Sequence, residues 1–276
     1  MNLFILDPIL RRALEEDIGT GDVTTMATIE PGTQASAELV AKEDFVLAGI
    51  DVARRVFQLL STETAFEKLV TDGQSVKRGD VIAWIKGDAA ALLQSERVAL
   101  NLLQRMCGVA TLTADFVREV AGTQAIVVDT RKTTPGLRVL EKYAVRMGGG
   151  GNHRMALYDA VLIKENHVAA AGGISAAVKR ARARVPHTQK IEVEVRNQDE
   201  VAEALAAGAD ILLLDNMSLT ELAAAVERVG DQAITEASGG VNLETIRGIA
   251  ETGVRLISVG ALTHSYRAVD ISMLFT

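Results

Sequence analysis

The residues able to do chemistry in this 276-residue sequence gather in a few short runs. Arg131 and Lys132 follow Asp129 and Thr130, Lys164 opens Lys164-Glu165-Asn166-His167, and Glu192 and Glu194 alternate with valine. Asp215-Asn216, Ser238-Gly239-Gly240 and Gly260-Ala261 come further on. An arginine can clamp a carboxylate or phosphate through two parallel hydrogen bonds, whereas a lysine acts as a mobile point charge. Alone, Arg131-Lys132 would read as a solvated surface pair. The run Gly148-Gly149-Gly150-Gly151 before Asn152-His153-Arg154 counts against that, because four glycines make a loop whose backbone can approach a ligand closely. Ser238-Gly239-Gly240 and Gly260-Ala261 offer backbone N–H groups of the kind that cradle phosphate. Glu192 and Glu194 are costly to bury unless paired or bound to a cation. The chemistry indicated is the binding of a small polyanion. His167 reads as a supporting residue, His187 as a surface residue and His264 as a structural one.

These runs sit at the ends of short apolar segments. Strands are expected over residues 125–128, 160–163, 190–195, 211–214, 233–235 and 256–259, with helical periodicity over 137–147, 174–185, 199–207, 219–229 and 243–251. Alternating strands and helices imply a parallel sheet with right-handed crossovers. No G-x-G-x-x-G follows the first strand, so a β/α barrel is preferred to a dinucleotide fold. In such barrels the functional residues stand at the C-terminal ends of the strands, where these runs lie. Upstream, a helix is expected to open at Asp7-Pro8, strands over 37–41, 65–70 and 81–85, a helix over 51–60 and a β-hairpin over 72–80. A helix over 89–106 is expected to break at Cys107-Gly108 and resume over 111–120.

The composition sets limits. Hydrophobic residues make up 48% and aromatics only 4%, so the core is built from Ala, Val, Leu and Ile. A net charge of −7 and a pI near 5.3 leave no chain-wide footprint for nucleic acid. Cys107 stands alone, which excludes an intrachain disulfide and a cysteine metal site. Asp7 and Pro8 interrupt the apolar start, no basic segment precedes it, and no later run is long enough to span a bilayer. A cytoplasmic protein with no membrane or nucleic-acid partner is expected.

The motifs taken together resemble a known family. Asp129-Thr130-Arg131-Lys132-Thr133-Thr134-Pro135-Gly136, Gly151-Asn152-His153-Arg154, Lys164-Glu165-Asn166-His167, Glu192-Val193-Glu194, Leu214-Asp215-Asn216-Met217 and Glu236-Ala237-Ser238-Gly239-Gly240 are similar to those of quinolinate phosphoribosyltransferase. Glu15 to Thr24, Ser95-Glu96-Arg97 and Gln104-Arg105 fit as well, so the resemblance runs along nearly the whole chain. It implies an N-terminal α/β sandwich domain (residues 1–115, with the tail 268–276 returning to it) and an incomplete, seven-stranded α/β barrel (116–267). The implied reaction joins quinolinate to phosphoribosyl pyrophosphate (PRPP) with Mg²⁺, giving nicotinate mononucleotide, pyrophosphate and CO₂ in NAD biosynthesis. It implies that Arg131, His153, Arg154 and Lys164 supply cations for the two carboxylates, with Arg105 reaching in from a neighbouring subunit of a homodimer or hexamer. Thr130 belongs with the same substrate-binding segment. By the same resemblance Lys132 meets the sugar pyrophosphate, and Glu194 and Asp215 bind ribose hydroxyls or Mg²⁺. Ser238, Gly239, Gly240 and the turn Ser258-Val259-Gly260 hold the 5′-phosphate. The catalytic set so implied is Lys132, Lys164, Glu194 and Asp215. A homologous barrel enzyme with another acceptor and a Schiff-base aldolase using Lys164 are the alternatives.

Overall fold

The computed structural model describes residues 1–276, which divide into two compact units. The first comprises Met1–Leu112, Thr134–Gly149 and Tyr266–Thr276, and the second Thr113–Thr133 and Gly150–Ser265. The chain begins with α1 (Leu3–Ile18), α2 (Val23–Thr28), β1 (Gln34–Ala41), β2 (Phe45–Val46) and α3 (Ile50–Leu60). It continues with β3 (Ala65–Lys68), β4 (Ser75–Val76), β5 (Val81–Asp88) and the long α4 (Ala89–Glu119).

Helix α1 opens at Leu3 rather than at Pro8, because the Asn2 side chain accepts the Phe4 N–H at 3.0 Å and caps the first turn. Leu6, Leu10 and Leu14 recur every four residues and are buried. Arg55 of α3 holds Asp7 of α1 through two hydrogen bonds of 2.9 and 2.6 Å. Helix α4 runs unbroken through Cys107-Gly108, where a break was expected. Gly108 costs helix stability but is needed there, since a Cβ at this position would collide with the backbone carbonyl of Arg267. In an open helix Gly→Ala gains about 1 kcal/mol. Gly108→Ala is instead expected to lose about 2 kcal/mol through overpacking, measured by urea unfolding. An unchanged or raised midpoint would contradict this packing.

The first unit carries an antiparallel sheet in the order β12-β1-β5-β3, with β12 (Ile271–Phe275) bringing the C-terminus beside β1. The expected hairpin over 72–80 does not form; β4 pairs instead with β2. Asp72 has a positional role, accepting the Ile50 N–H at 3.0 Å and the Tyr143 hydroxyl at 2.7 Å.

After α4 come β6 (Ile126–Val128), α5 (Arg138–Met147, part of the first unit), β7 (Val161–Ile163), α6 (Glu165–Ala171), α7 (Ile174–Arg182) and β8 (Ile191–Val195). Then follow α8 (Gln198–Ala206), β9 (Ile211–Asp215), α9 (Leu219–Val229), β10 (Ile234–Ser238), α10 (Ile246–Glu251), β11 (Leu256–Ser258) and α11 (Ala261–His264). The second unit is an incomplete α/β barrel whose parallel strands run β6-β11-β10-β9-β8-β7. Gly151 adds one parallel bridge to Val128, on the side of β6 where a further strand would close the sheet. The period of two along each strand sorts the side chains. Ile191, Val193, Val195, Leu212, Leu214, Ala237 and Ile257 are buried apolar residues. The alternate positions carry Glu192, Glu194, Leu213, Asp215, Glu236, Ser238 and Ser258. Helix α6 was not expected; Lys164 precedes it and donates its backbone N–H to Nδ1 of His167 at 2.9 Å.

Candidate active site

The strand ends of the second unit surround a cavity of about 770 Å³. The β6 end contributes Thr130, Arg131 and Lys132, the loop before β7 contributes His153 and Arg154, and β7 contributes Leu162 and Lys164. From β8 to the β11 end come Glu194, Leu213, Asp215, Ser238, Gly239, Gly240, Ser258 and Gly260. Thirteen of the fifteen residues singled out from the sequence therefore line one cavity. Arg105 and Val259 do not. Val259 is buried and its N–H is engaged by the Val128 carbonyl at 2.9 Å. Arg105 lies in the first unit, donating to Thr134 Oγ1 at 3.0 Å and standing 5.1 Å from the Tyr266 ring centre.

Asp129 is fully buried and organises the cationic side. It accepts the Asn152 Nδ2–H at 2.6 Å and the His153 backbone N–H at 2.9 Å. Arg154 donates to the Ala160 carbonyl at 3.2 Å. Burial, and then the neighbouring charge of Arg131, hold Arg154 below its ordinary pKa. Like charges brought together out of water favour an anion as counter-charge. Lys164 Nζ meets Glu194 Oε2 at 2.9 Å.

The opposite side is built from backbone. Gly239 and Gly240 have φ of +101° and +60°, and a Cβ on Gly239 would collide with the Asn216 side chain. Asn216 itself has φ +54° and donates its N–H to the Ser238 carbonyl at 2.9 Å. At Gly260 a Cβ would come within 3.0 Å of Lys132 Cδ and 3.1 Å of His264 Nε2, so a larger residue would push these side chains back from the turn by a few tenths of an ångström.

Reasoning from the sequence gave no site role to Glu236, Val241 or His264, which also line the cavity. Glu236 had the same signal as Glu192, an acid inside an apolar strand. His264 had none, because its position depends on α11 folding back over Gly260.

Glu192 and Glu236 are buried and converge on His153: Nε2 lies 3.1 Å from Glu192 Oε2 and 3.6 Å from Glu236 Oε1. Burial, and next the charge of Glu192, push the Glu236 carboxyl up to about 7, while His153 and Ser258 oppose the shift. The folded chain therefore binds this proton more tightly than the unfolded chain, and stability falls as pH rises from the ordinary glutamate range to about 7. Glu236→Gln removes that loss. Its urea midpoint relative to wild type is expected to rise between about pH 5 and about pH 8, and a flat difference would contradict the shift.

Fold and cavity together define an incomplete α/β barrel whose strand ends bring a cationic loop and a glycine-rich turn to one cavity, the arrangement of a barrel enzyme. Residues 22–107 match the quinolinate phosphoribosyl transferase N-terminal domain, and residues 109–274 match the C-terminal domain. A probable nicotinate-nucleotide pyrophosphorylase (carboxylating) of Bacillus subtilis is 46% identical over 274 residues, covering 99% of this chain and 94% of that protein. The chloroplastic nicotinate-nucleotide pyrophosphorylase (carboxylating) of Arabidopsis thaliana is 42% identical, covering 97% of this chain and 82% of its own. The crystal structure of NadC from Streptococcus pyogenes superposes with a TM-score of 0.96 at 42% identity, covering 100% of this chain and 98% of that one. The chain belongs to the quinolinate phosphoribosyltransferase family. No helix is long and apolar enough to cross a membrane.

Proposed function

We propose that this protein transfers the phosphoribosyl group of PRPP to quinolinate with loss of CO₂, giving nicotinate mononucleotide and pyrophosphate. The observation that carries this reading is the convergence of Arg131, Arg154, Lys132 and Lys164 on one cavity that also holds the Ser238-Gly239-Gly240 cradle. Two adjacent carboxylates need several cations, and arginine forks suit them. In this reading Arg131, Arg154 and Lys164 hold quinolinate, with Thr130 and His153 shaping its site. Ser238, Gly239, Gly240, Ser258 and the Gly260 turn hold the 5′-phosphate, and Lys132 meets the pyrophosphate.

The pyridine nitrogen displaces pyrophosphate at the anomeric carbon, which develops oxocarbenium character that Glu194 and Asp215 stabilise. The quaternised ring then takes the electron pair of the departing 2-carboxylate, and the ring carbon gains a proton. Positioning and electrostatics supply the rate, without a protein nucleophile. Glu194 and Asp215 offer the hard oxygen donors that Mg²⁺ prefers, on one cavity wall. When bound, Mg²⁺ offsets the charge of the leaving pyrophosphate. The Schiff-base alternative would need Lys164 desolvated, whereas its side chain is half-exposed and paired with Glu194. The active unit is a homodimer or hexamer in the cytoplasm, with Arg105 donated across a subunit interface.

The test is a coupled assay with Mg²⁺, PRPP and quinolinate. Stoichiometric CO₂ and nicotinate mononucleotide are expected. No product, or equal turnover of nicotinate, would overturn the acceptor assignment.

A further inference from the structure

We infer that His153 works as a neutral imidazole with its proton on Nε2, and that Glu192 and Glu236 are positioning residues that hold it so and thereby aim Arg154 into the cavity. The Arg154 backbone N–H points at Nδ1 of His153 from 2.7 Å. Nδ1 must then be the acceptor, because a proton there would set two donors against each other. The remaining ring proton sits on Nε2, which faces Glu192 Oε2 at 3.1 Å and Glu236 Oε1 at 3.6 Å. An imidazolium, the form a substrate cation would need, does not fit this arrangement.

The same argument decides against a metal. His153, Glu192 and Glu236 bring one ligand atom each to within 4.8 Å of one another, a spacing that could hold an ion. A metal on Nε2 would move the proton to Nδ1, where the Arg154 N–H already donates. The carboxylates serve another purpose. They stand on β8 and β10, on either side of β9, and both are buried. Glu192 Oε1 and Glu236 Oε1 lack a hydrogen-bond partner, so the pair bears a desolvation cost that fold stability alone does not require. With Asp129 holding Asn152 and the His153 backbone from the other side, the turn is fixed at both ends. Arg154 follows directly, and it lines the cavity. This second set of contacts orients a binding residue much as outer-shell partners orient a metal ligand.

The test has two arms. Long-range ¹H–¹⁵N correlation spectra of the unmodified full-length protein, with His153 assigned by the His153→Gln variant, report the tautomer directly. Nδ1 unprotonated and Nε2 protonated from about pH 6 to about pH 8 is the expected result. An imidazolium, the Nδ1–H tautomer, or loss of the Nε2 proton on adding Mg²⁺ or Zn²⁺ would overturn the inference. The second arm is kinetic and rests on quinolinate being the acceptor. Glu192→Ala is expected to lose about 10- to 100-fold in kcat/KM, carried by the KM for quinolinate, with the KM for PRPP unmoved. Glu192→Gln keeps an acceptor oxygen and is expected to recover most of that loss. Equal changes in both KM values, or no rescue by Gln, would count against positioning. If quinolinate is not the acceptor the kinetic arm shows no turnover even in wild type, while the spectra still decide the tautomer.

Discussion

Arg105→Ala and Lys132→Ala proteins are each expected to turn over quinolinate at no more than about a thousandth of the wild-type rate, and an equal mixture is expected to recover roughly a quarter of it. Lys132 lines the cavity; Arg105 does not, although the reaction proposed needs a further cation beside two carboxylates. Arg105 is also not a relaxed surface side chain. It donates to Thr134, lies 3.6 Å from the buried Glu141, stacks on Tyr266, and its buried Nε has no hydrogen-bond partner. Its side chain is still 40% exposed, so the outer part of the guanidinium is open to a second copy of the chain. If each site takes Lys132 from one subunit and Arg105 from the next, a mixed dimer has one intact site and one with both defects. Half the dimers in a random mixture are mixed, and half of their sites work. Differently tagged, co-expressed chains purified through both tags isolate that species. A mixed dimer as inactive as its parents would refute the shared site.

Gly239→Ala is expected to raise the KM for PRPP by about 100-fold, with little effect on the KM for quinolinate. Two independent penalties meet at this residue. Its φ of +101° is open to glycine and strained for alanine, and a new Cβ would collide with the Asn216 side chain. Asn216 cannot move freely, because its N–H donates to the Ser238 carbonyl and its Nδ2 to Asp215 at 2.8 Å. The displacement would therefore reach Ser238 and Asp215, neighbours on β10 and β9 that both belong to the proposed sugar-phosphate site. Steady-state kinetics with each substrate varied in turn separate the outcomes. A quinolinate KM that rises as much as the PRPP KM would falsify the assignment of this turn to the phosphate.

Much of the site was legible because the information is local. Each parallel strand is a short apolar run, and the polar residue after it marks the rim where ligands bind. Thr130 to Lys132, Lys164, Asp215 and Ser238 to Gly240 could be placed on one rim by this rule, and they line one cavity. Glu192 and Glu194 were visible as acids that break an apolar pattern. Local signals failed where the answer lies far along the chain. Gly108 reads as a helix break, yet the helix continues, because the glycine is required by a carbonyl at Arg267. Residues 72–80 read as a hairpin, yet β4 finds its partner in β2. Val259 follows a strand like the others, yet the approach of Val128 takes its N–H.

By itself, then, the sequence determined the alternation of strands and helices, the family motifs and the polyanion chemistry of the rim, because residue type and spacing encode these directly. Tertiary structure alone decided how those residues act. It converged Glu192 and Glu236 on His153, turned Nδ1 toward the Arg154 N–H, and folded His264 over Gly260. Proton placement and close approach depend on distances between groups remote in the chain, and no periodicity within a single segment carries those distances.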